Sequence, residues 1–314
     1  MLFRLTDSRH RRLLAKTTEV ALHNWKPVEI GDKDIISSFL HRKRYATSEL
    51  TFTNLLLWQF GHKIQWRVAR DMLLLRMVNE AGDPGFYMPV GDGDLADAVM
   101  DLAQEAGANF HLCSLSQRMV NELQAALPGK LAFAHTPSYD DYIYSLADLR
   151  DLPGAAYRKK RNFVSGFERD YPFEYKRLTP QSIPDVVLSQ LEWCENRNCE
   201  HYPQLYKEKI GVLKVLEHFD EMDYAGAYIQ VGQKVEAFTL GEMITSDTVV
   251  IHIEKANEAL RGAYQAMNAW FLREWPEAQW VNRECDLGLE GLRKAKESYR
   301  PAHKLEKHTA RLVG

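Results

Sequence analysis

Residues 252–265 contain side chains suited to binding an anion at the start of a helix. The segment follows a β-branched strand pattern that begins at Val249, and Arg261 and Gly262 then precede a helical pattern. A helix N-terminus offers free N–H groups and the positive end of its dipole, which suit a phosphate or pyrophosphate group. Gly262 removes a side chain where backbone must approach the anion, and Arg261 adds a charge. The alternative is a capped loop with an exposed arginine.

A tyrosine lies four residues after an alanine further along the chain. Ala295 and Tyr299 are four residues apart, so a helix that continued to Tyr299 would place both on one face. A tyrosine held within hydrogen-bond distance of a leaving group can protonate it. The alternative is a half-buried aromatic residue whose hydroxyl lies at the surface.

Charged residues cluster after the predicted strand 280–282. Glu284 and Asp286 follow the strand directly, and Arg293 and Lys296 lie on the next predicted helix. Ligands of open sheets bind at strand ends. The carboxylates have the charge to recognise a cationic amino group, and the two cations have the charge to contact phosphate. The alternative is a solvated helix N-terminus with favourably placed acidic residues.

A basic stretch at residues 157–162 contains four consecutive cations, from Arg158 to Arg161. Such a stretch can contact a tRNA backbone or an anionic headgroup, with strongly salt-dependent affinity. The aromatic residues beside it are Tyr157 and Phe163, fewer than base stacking along a strand requires. The alternative is the solvated face of a helix.

The order of elements, the loop that leads to residue 261, and Asn282, Ala295 and Tyr299 resemble the GNAT acyltransferase superfamily. More narrowly, four segments are similar to an uncharacterised bacterial family related to the C-terminal domain of phosphatidylglycerol lysyltransferase, whose tandem GNAT fold is shared with the Fem-type aminoacyltransferases. They are residues 48–55, 157–162, 252–265 and 282–299. The glycine segment at 261–263 is shorter than the usual GNAT signature, so the donor stays open between acyl-CoA and aminoacyl-tRNA.

The pattern and the resemblance together assign roles to individual residues. We predict Tyr299 and Glu254 as catalytic residues and expect no metal. The predicted cofactor-binding residues are Arg261, Gly262, Ala263, Tyr264 and Asn282. The predicted substrate-binding residues are Arg158, Lys159, Arg161, Asn162, Glu284, Asp286, Arg293 and Lys296.

These assignments predict an acyl- or aminoacyl-transferase with an amine or hydroxyl acceptor. Direct attack on an ester or thioester requires positioning, stabilisation of the oxyanion and an acid for the leaving group. A second hypothesis is a non-catalytic protein that keeps the fold and binds a metabolite. A third is an adaptor that binds tRNA or a membrane surface through the basic stretch.

The composition agrees with an ordinary globular protein. The 314 residues are 45% hydrophobic and carry a formal net charge of −3, which excludes a global field directed at nucleic acid or anionic membranes. The four cysteines form no C-x-x-C pair, and Cys194, Cys199 and His201 fit no standard zinc spacing. We therefore expect reduced thiols, a cytoplasmic protein and no transmembrane segment.

The order of strand and helix patterns predicts an α+β fold. It consists of two tandem GNAT-like domains, each a mixed, mostly antiparallel sheet flanked by helices. We expect a basic N-terminal arm at residues 1–24, an N-terminal domain at 25–150 and a C-terminal domain with the donor site at 151–314. Residues 137–157 are the predicted connection, and residues 301–307 are the predicted last strand.

Overall fold

The structure is a computed structural model that describes residues 24–313. The predicted basic arm therefore lies outside the described residues, apart from Asn24. The chain divides into two compact units, one containing residues 24–44, 62–135 and 308–313, the other residues 45–61 and 136–307. The predicted domain ranges differ from these units, because residues 45–61 and 136–150 belong to the second unit and not to the first. The domain boundaries stay a prediction.

The elements follow the chain in a mixed order. The helices are α1 Lys33–Lys43, α2 Phe52–His62, α3 Leu95–Ala106, α4 Gln117–Ala126, α5 Leu146–Asp151, α6 Arg158–Asp170, α7 Ile183–Asn196, α8 Pro203–Glu217, α9 Ala263–Phe271 and α10 Glu290–Glu297, besides short 3-10 turns. The strands are β1 Lys26–Pro27, β2 Gln65–Ala69, β3 Met72–Val78, β4 Pro84–Phe86, β5 Val90–Gly91, β6 Leu112–Ser116, β7 Leu131–His135, β8 Asp141–Ser145, β9 Phe173–Arg177, β10 Ala225–Val231, β11 Lys234–Met243, β12 Thr248–Ala256, β13 Trp280–Asn282, β14 His303–Leu305 and β15 Lys307–Leu312.

The first unit is built on a mixed sheet. Its strand order is β1-β2-β3-β4-β6-β15-β7, with β5 paired to β3, and β4 runs parallel to β6. The single last strand predicted at 301–307 was wrong. The structure has two strands there, and β15 lies between β6 and β7 in this first sheet.

The second unit contains a seven-stranded sheet with the order β14-β8-β13-β12-β11-β10-β9. Its neighbours are antiparallel except for β12 and β13, which run parallel. The predicted connection at 137–157 was wrong in part, because β8 lies inside this sheet. Tyr142 and Tyr144 are fully buried there, and burial of a whole strand requires ladder partners on both sides. Two mixed sheets with flanking helices confirm the α+β class.

Helix α9 is the central helix of the second unit. Apolar side chains surround most of its circumference, so it lies in the core rather than at the surface. It packs against α6, with the rings of Phe167 and Trp270 6.1 Å apart in an edge-on arrangement. This packing brings the two helices predicted to bind the donor and the substrate into contact.

The cysteines differ in part from our expectation. Cys194 and Cys199 form a disulfide with their Cα atoms 5.1 Å apart, so the prediction of four reduced thiols was wrong for this pair. Cys113 and Cys285 form no disulfide within residues 24–313. Within residues 24–313, no helix is long and apolar enough to cross a membrane.

Candidate active site

The centre of the site is a largely buried ion pair at the ends of two parallel strands. Because β12 and β13 are parallel neighbours, their carboxyl ends lie at the same edge of the sheet. Glu254 near the end of β12 and Arg283 just after β13 meet there, with Nη2 2.9 Å from Oε1. The other oxygen of Glu254 accepts a hydrogen bond from Nδ2 of Asn268 at 2.9 Å. Glu254 thus positions a guanidinium and an amide.

Tyr299 lies beside this ion pair. Its ring centroid is 5.0 Å from the guanidinium carbon of Arg283, and the residue is only 6% exposed. Burial raises the pKa of the phenol well above its usual range, although Arg283 acts in the opposite direction. Tyr299 therefore stays protonated at neutral pH and can donate a proton. Ala295, however, is exposed, and α10 ends before Tyr299, so the helix does not continue far enough to place both residues on one face.

Lys160 approaches the same tyrosine from α6. Its ammonium is 3.8 Å from the centroid of the Tyr299 ring and donates a hydrogen bond to Oγ of Ser298 at 2.7 Å. Burial lowers the pKa of Lys160 to about 8, with repulsion by Arg283 and Lys159 acting in the same direction. Our sequence assignments did not include Lys160 or Arg283. The spacing contained a signal for Lys160, since it is four residues before the buried Val164, on the inward face of α6.

The other members of the basic stretch lie elsewhere. Arg158, Lys159 and Asn162 are exposed on α6. Arg161 donates hydrogen bonds to the carbonyls of Leu152 and Gly154, so its guanidinium holds the turn that precedes the helix. Lys160 is thus the cation of this stretch that lies at the Tyr299 ring, and the Tyr157 hydroxyl donates to the Tyr299 carbonyl.

A buried lysine holds the loop that follows β13. The ammonium of Lys296 donates to the carbonyls of Arg283, Glu284 and Cys285. Burial lowers the pKa of Lys296 to about 8, with repulsion by Arg283 as the next cause. A lysine has three donor hydrogens, and three carbonyls match them here. The arrangement therefore places Arg283 through its backbone.

His252 connects the same loop to the sheet. The register between β11 and β12 shifts between Leu240 and Gly241, which leaves His252 as the extra residue of a β-bulge. Its Nε2 is 2.9 Å from Glu242 and its Nδ1 is 2.9 Å from Glu284. Burial alone would lower the pKa of His252, but the hydrogen bonds to the two carboxylates outweigh it and raise the pKa to about 9. At neutral pH the imidazole is therefore charged.

The loop also contains a strongly acidic carboxyl group. Asp286 accepts hydrogen bonds from the hydroxyl of Tyr142 at 2.6 Å, from Arg293 at 2.9 Å and from the backbone N–H of Gly288 at 2.8 Å. Burial acts to raise the pKa of Asp286, yet Arg293 and Tyr142 lower it to about 2. These contacts attach α10 to the loop.

Asn282, a predicted cofactor-binding residue, is fully buried at the end of β13. Its Nδ2 donates to the carbonyl of Ala46 at 3.2 Å and to Asp141 at 2.9 Å. Its Oδ1 accepts from the backbone N–H of Glu284 at 2.7 Å. The amide therefore joins the strand, the loop and the segment before α2.

The glycine at the start of α9 approaches another helix closely. Gly262 has a φ of 98°, and a Cβ atom added there would lie 2.3 Å from the carbonyl oxygen of Phe163 in α6. Arg261 is exposed, with its guanidinium carbon 5.1 Å from the Phe163 ring. Ala263 is buried next to Gly262, and the hydroxyl of Tyr264 accepts from Trp193 at 3.1 Å. The close contact with α6 therefore explains why residue 262 is a glycine.

Sequence reasoning missed a buried charge network close to Asn282. The ammonium of Lys307 lies 2.6 Å from Glu49 and 2.7 Å from Asp141. Attraction by Asp141 and Glu49 raises the pKa of Lys307 despite burial, which acts to lower it. The lysine and Glu49 are 258 positions apart, so no local pattern could have paired them. Within residues 24–313, no group of three or more His, Cys, Asp or Glu side chains is arranged to hold a metal ion.

Comparison with known proteins identifies the family of this chain. The family described as "Phosphatidylglycerol lysyltransferase, C-terminal" matches residues 42–311. The chain belongs to this family. The resemblance inferred from the sequence segments is therefore confirmed. No match was found among curated protein sequences.

Solved structures show the same fold. A conserved protein of unknown function from Bacteroides thetaiotaomicron is 34% identical over 92% of this chain and 99% of that chain, with a TM-score of 0.84. L-PGS from Bacillus licheniformis is 13% identical over 89% of this chain and 91% of that chain, with a TM-score of 0.62. FemX is 11% identical over 92% of this chain and 97% of that chain, with a TM-score of 0.56. The last two likenesses concern the fold alone.

Proposed function

We propose that this protein is an aminoacyltransferase that moves an aminoacyl group from an ester donor to an amine or hydroxyl acceptor. The observation that carries the proposal is a neutral, buried Tyr299 next to the Glu254–Arg283 ion pair. Membership of a family named for lysyl transfer to phosphatidylglycerol supports an aminoacyl donor. Aminoacyl-tRNA is the proposed donor, and acyl-CoA is the donor to be tested against it.

The proposed chemistry needs an acid and a positive charge near it. The acceptor attacks the ester carbonyl, the ester C–O bond breaks, and the leaving oxygen takes the proton of the Tyr299 hydroxyl. The proton lost by the acceptor restores the phenol. Arg283, 5.0 Å from the ring, stabilises the phenolate while it exists. Glu254 keeps Arg283 in place, so we assign it a positioning role within the predicted catalytic pair.

A donor-consumption assay tests this function. Purified protein is incubated with labelled aminoacyl-tRNAs or labelled acyl-CoA, and hydroxylamine or phosphatidylglycerol vesicles serve as acceptor. We expect consumption of aminoacyl-tRNA, and a kcat for Tyr299→Phe lower by about 100-fold or more with a smaller change in KM. No acceleration with either donor, or full activity of Tyr299→Phe, contradicts the proposal.

We also infer that the two sheets correspond to two tandem GNAT-like domains. The support is the fold likeness to L-PGS and FemX along most of the chain, together with the presence of parallel pairing in both sheets. The cofactor-binding roles of Arg261, Gly262, Ala263 and Tyr264 stay predictions that belong to this inference. Cytoplasmic location also stays a prediction.

One observation favours the second candidate, a metabolite-binding protein without turnover. Both polar atoms of the Asn282 amide are bonded within the protein, so this side chain is not available to position a bound donor for reaction. The same assay separates the two candidates, since a binding protein retains labelled donor on a filter but does not consume it.

A further inference from the structure

We propose that Lys160 and Arg283 form a binding subsite for a phosphate group beside the Tyr299 ring. The inference deepens the proposed function, since the phosphate would belong to a substrate of that reaction. Both cations lie at the same aromatic ring, with Lys160 Nζ 3.8 Å and the Arg283 guanidinium carbon 5.0 Å from its centroid.

The balance of charge at this position favours an anion. Glu254 pairs with Arg283 and compensates its charge. Lys160 forms no ion pair with any carboxylate among residues 24–313; its Nζ instead contacts the Ser298 hydroxyl and the Tyr299 ring. Two cations and one carboxylate leave an excess positive charge. Because the residues are partly or largely buried, water screens that charge less than at an open surface.

Both cations are held in place before a ligand arrives. Ser298 and the Tyr299 ring orient Lys160, and Glu254 orients Arg283. The hydroxyl of Tyr157, at the start of α6, also donates to the backbone carbonyl of Tyr299 at 3.0 Å. Groups that are already ordered lose less side-chain entropy on binding. Arg283 can use its remaining N–H groups in the forked geometry that suits phosphate.

A second observation concerns Asn268, which shares the carboxylate of Glu254 with Arg283. Asn268 is 2% exposed, and its Oδ1 has no hydrogen-bond partner among the described residues, although its Nδ2 is bonded to Glu254. Turning the amide over would put Oδ1 against a carboxylate oxygen, so the orientation is determined. A buried acceptor without a partner costs about 1–3 kcal/mol. A hydroxyl near the bound phosphate, as on a ribose or glycerol unit, would satisfy it.

Phosphate at this subsite has three sources compatible with the proposed reaction. They are the phosphodiester at the 3′ end of a tRNA, the pyrophosphate of coenzyme A and the headgroup of a phospholipid. The chemistry that Lys160 and Arg283 recognise is shared by all three. The arms of the experiment therefore use one probe for each source.

The experiment is calorimetric titration of the full chain, with no acceptor present. The probes are inorganic pyrophosphate, a CCA trinucleotide with its internal phosphodiesters, coenzyme A, and vesicles containing phosphatidylglycerol. We expect at least one probe to bind wild type. Lys160→Gln should weaken that binding by roughly tenfold or more and lower the salt slope by about one. Lys160→Arg should keep most of the affinity.

A matched control removes a different cation from the same helix. Arg169→Gln lies at the exposed end of α6, where its partner is Asp170, and should bind like wild type. Arg283→Gln alone would leave Glu254 buried without its partner, so the second variant is the pair Glu254→Gln with Arg283→Gln. That pair should also weaken binding by roughly tenfold or more, with thermal unfolding checked in parallel.

The outcomes separate this subsite from the proposed function. Binding lost in Lys160→Gln supports the subsite even if no aminoacyl group is ever transferred. Transfer activity without phosphate binding overturns the subsite and leaves the function standing. The subsite is equally overturned if no probe binds wild type, or if Lys160→Gln binds as tightly as wild type.

Discussion

The Nδ1 atom of His252 lies 2.9 Å from Oε1 of Glu284, across the gap between β12 and the loop that follows β13. Asn54 of α2 donates to the same carboxylate oxygen at 3.1 Å. Glu284 has a positive φ of 57°, a conformation that costs a non-glycine residue free energy. Its side-chain contacts compensate for that cost. The charged imidazole is therefore one of the groups that keep the loop, and Arg283 within it, in place.

The first prediction is a pH dependence of stability from His252. Its pKa is about 9 in the folded protein against an ordinary 6.5, so the protonated form stabilises the fold. The contribution is complete below pH 6.5 and is lost as the pH rises through 9. Over that window the free energy of unfolding should fall by on the order of 3 kcal/mol. Urea unfolding at several pH values measures it.

The control for this prediction is His252→Gln. The glutamine keeps polar atoms near Glu242 and Glu284 but does not titrate, so the difference between wild type and variant should shrink as the pH rises. Subtraction removes the contributions of other titrating groups, including Lys160 and Lys296. A difference that stays constant from pH 6 to pH 9 would show that His252 is not charged in the folded protein.

The second prediction concerns Lys296 as a positioning residue. Lys296→Met removes the donors for three loop carbonyls and should cost about 1–3 kcal/mol of stability. It should also weaken phosphate binding, because Arg283 loses the backbone contact that places it. Lys294→Met is the control; that side chain is 73% exposed, and its loss should change stability by less than about 0.5 kcal/mol. Equal behaviour of the two variants in chemical denaturation would contradict the assignment.

The third prediction concerns Gly262. An alanine there must adopt a φ of 98° and place its Cβ 2.3 Å from the Phe163 carbonyl oxygen. Gly262→Ala should therefore destabilise the protein by at least about 1–3 kcal/mol. Gly291→Ala in α10 meets no atom within 4 Å and has no positive φ, so it should be neutral or slightly stabilising. Comparable melting temperatures for both variants would refute the account given for Gly262.

Much of the architecture was predictable because its signals are local. The turn at Gly232 predicts the hairpin of β10 and β11, and Gly232 has a φ of 63°, as such a turn requires. The β-branched run beginning at Val249 predicts a buried strand, and β12 is that strand. The order of the strands in each sheet depends instead on contacts between residues that are far apart in the sequence. This explains why β15 of the first sheet was not expected beyond residue 307.

The composition of the candidate site followed from the sequence only in part. Tyr299 and Glu254, which we predict to be catalytic, both lie beside Arg283, while their catalytic roles stay predictions. Arg283 was overlooked because its role comes from the parallel pairing of β12 with β13, a fact about the whole sheet. Lys296 was expected to contact phosphate because its ammonium group is positively charged. Only the surrounding backbone shows that its donors are already used.

The last prediction concerns Lys307, whose ammonium lies between Glu49 and Asp141. Lys307→Met leaves two carboxylates close together without a cation, and breaking a buried pair in this way costs about 3–5 kcal/mol. Burial already raises the pKa of Glu49 in the wild-type protein, and Asp141 raises it further, while Lys307 is the main group that lowers it. Without the lysine, Glu49 should take up a proton at a higher pH. Protonation removes the repulsion, so the variant should lose most stability near pH 8 and regain part of it near pH 5.

The prediction for Lys307 is tested by chemical denaturation of Lys307→Met and of the double variant Lys307→Met with Glu49→Gln. The double variant should be the more stable of the two at pH 8, with the difference shrinking toward pH 5. If the second substitution destabilises further at pH 8, the carboxylates are not held together by the lysine.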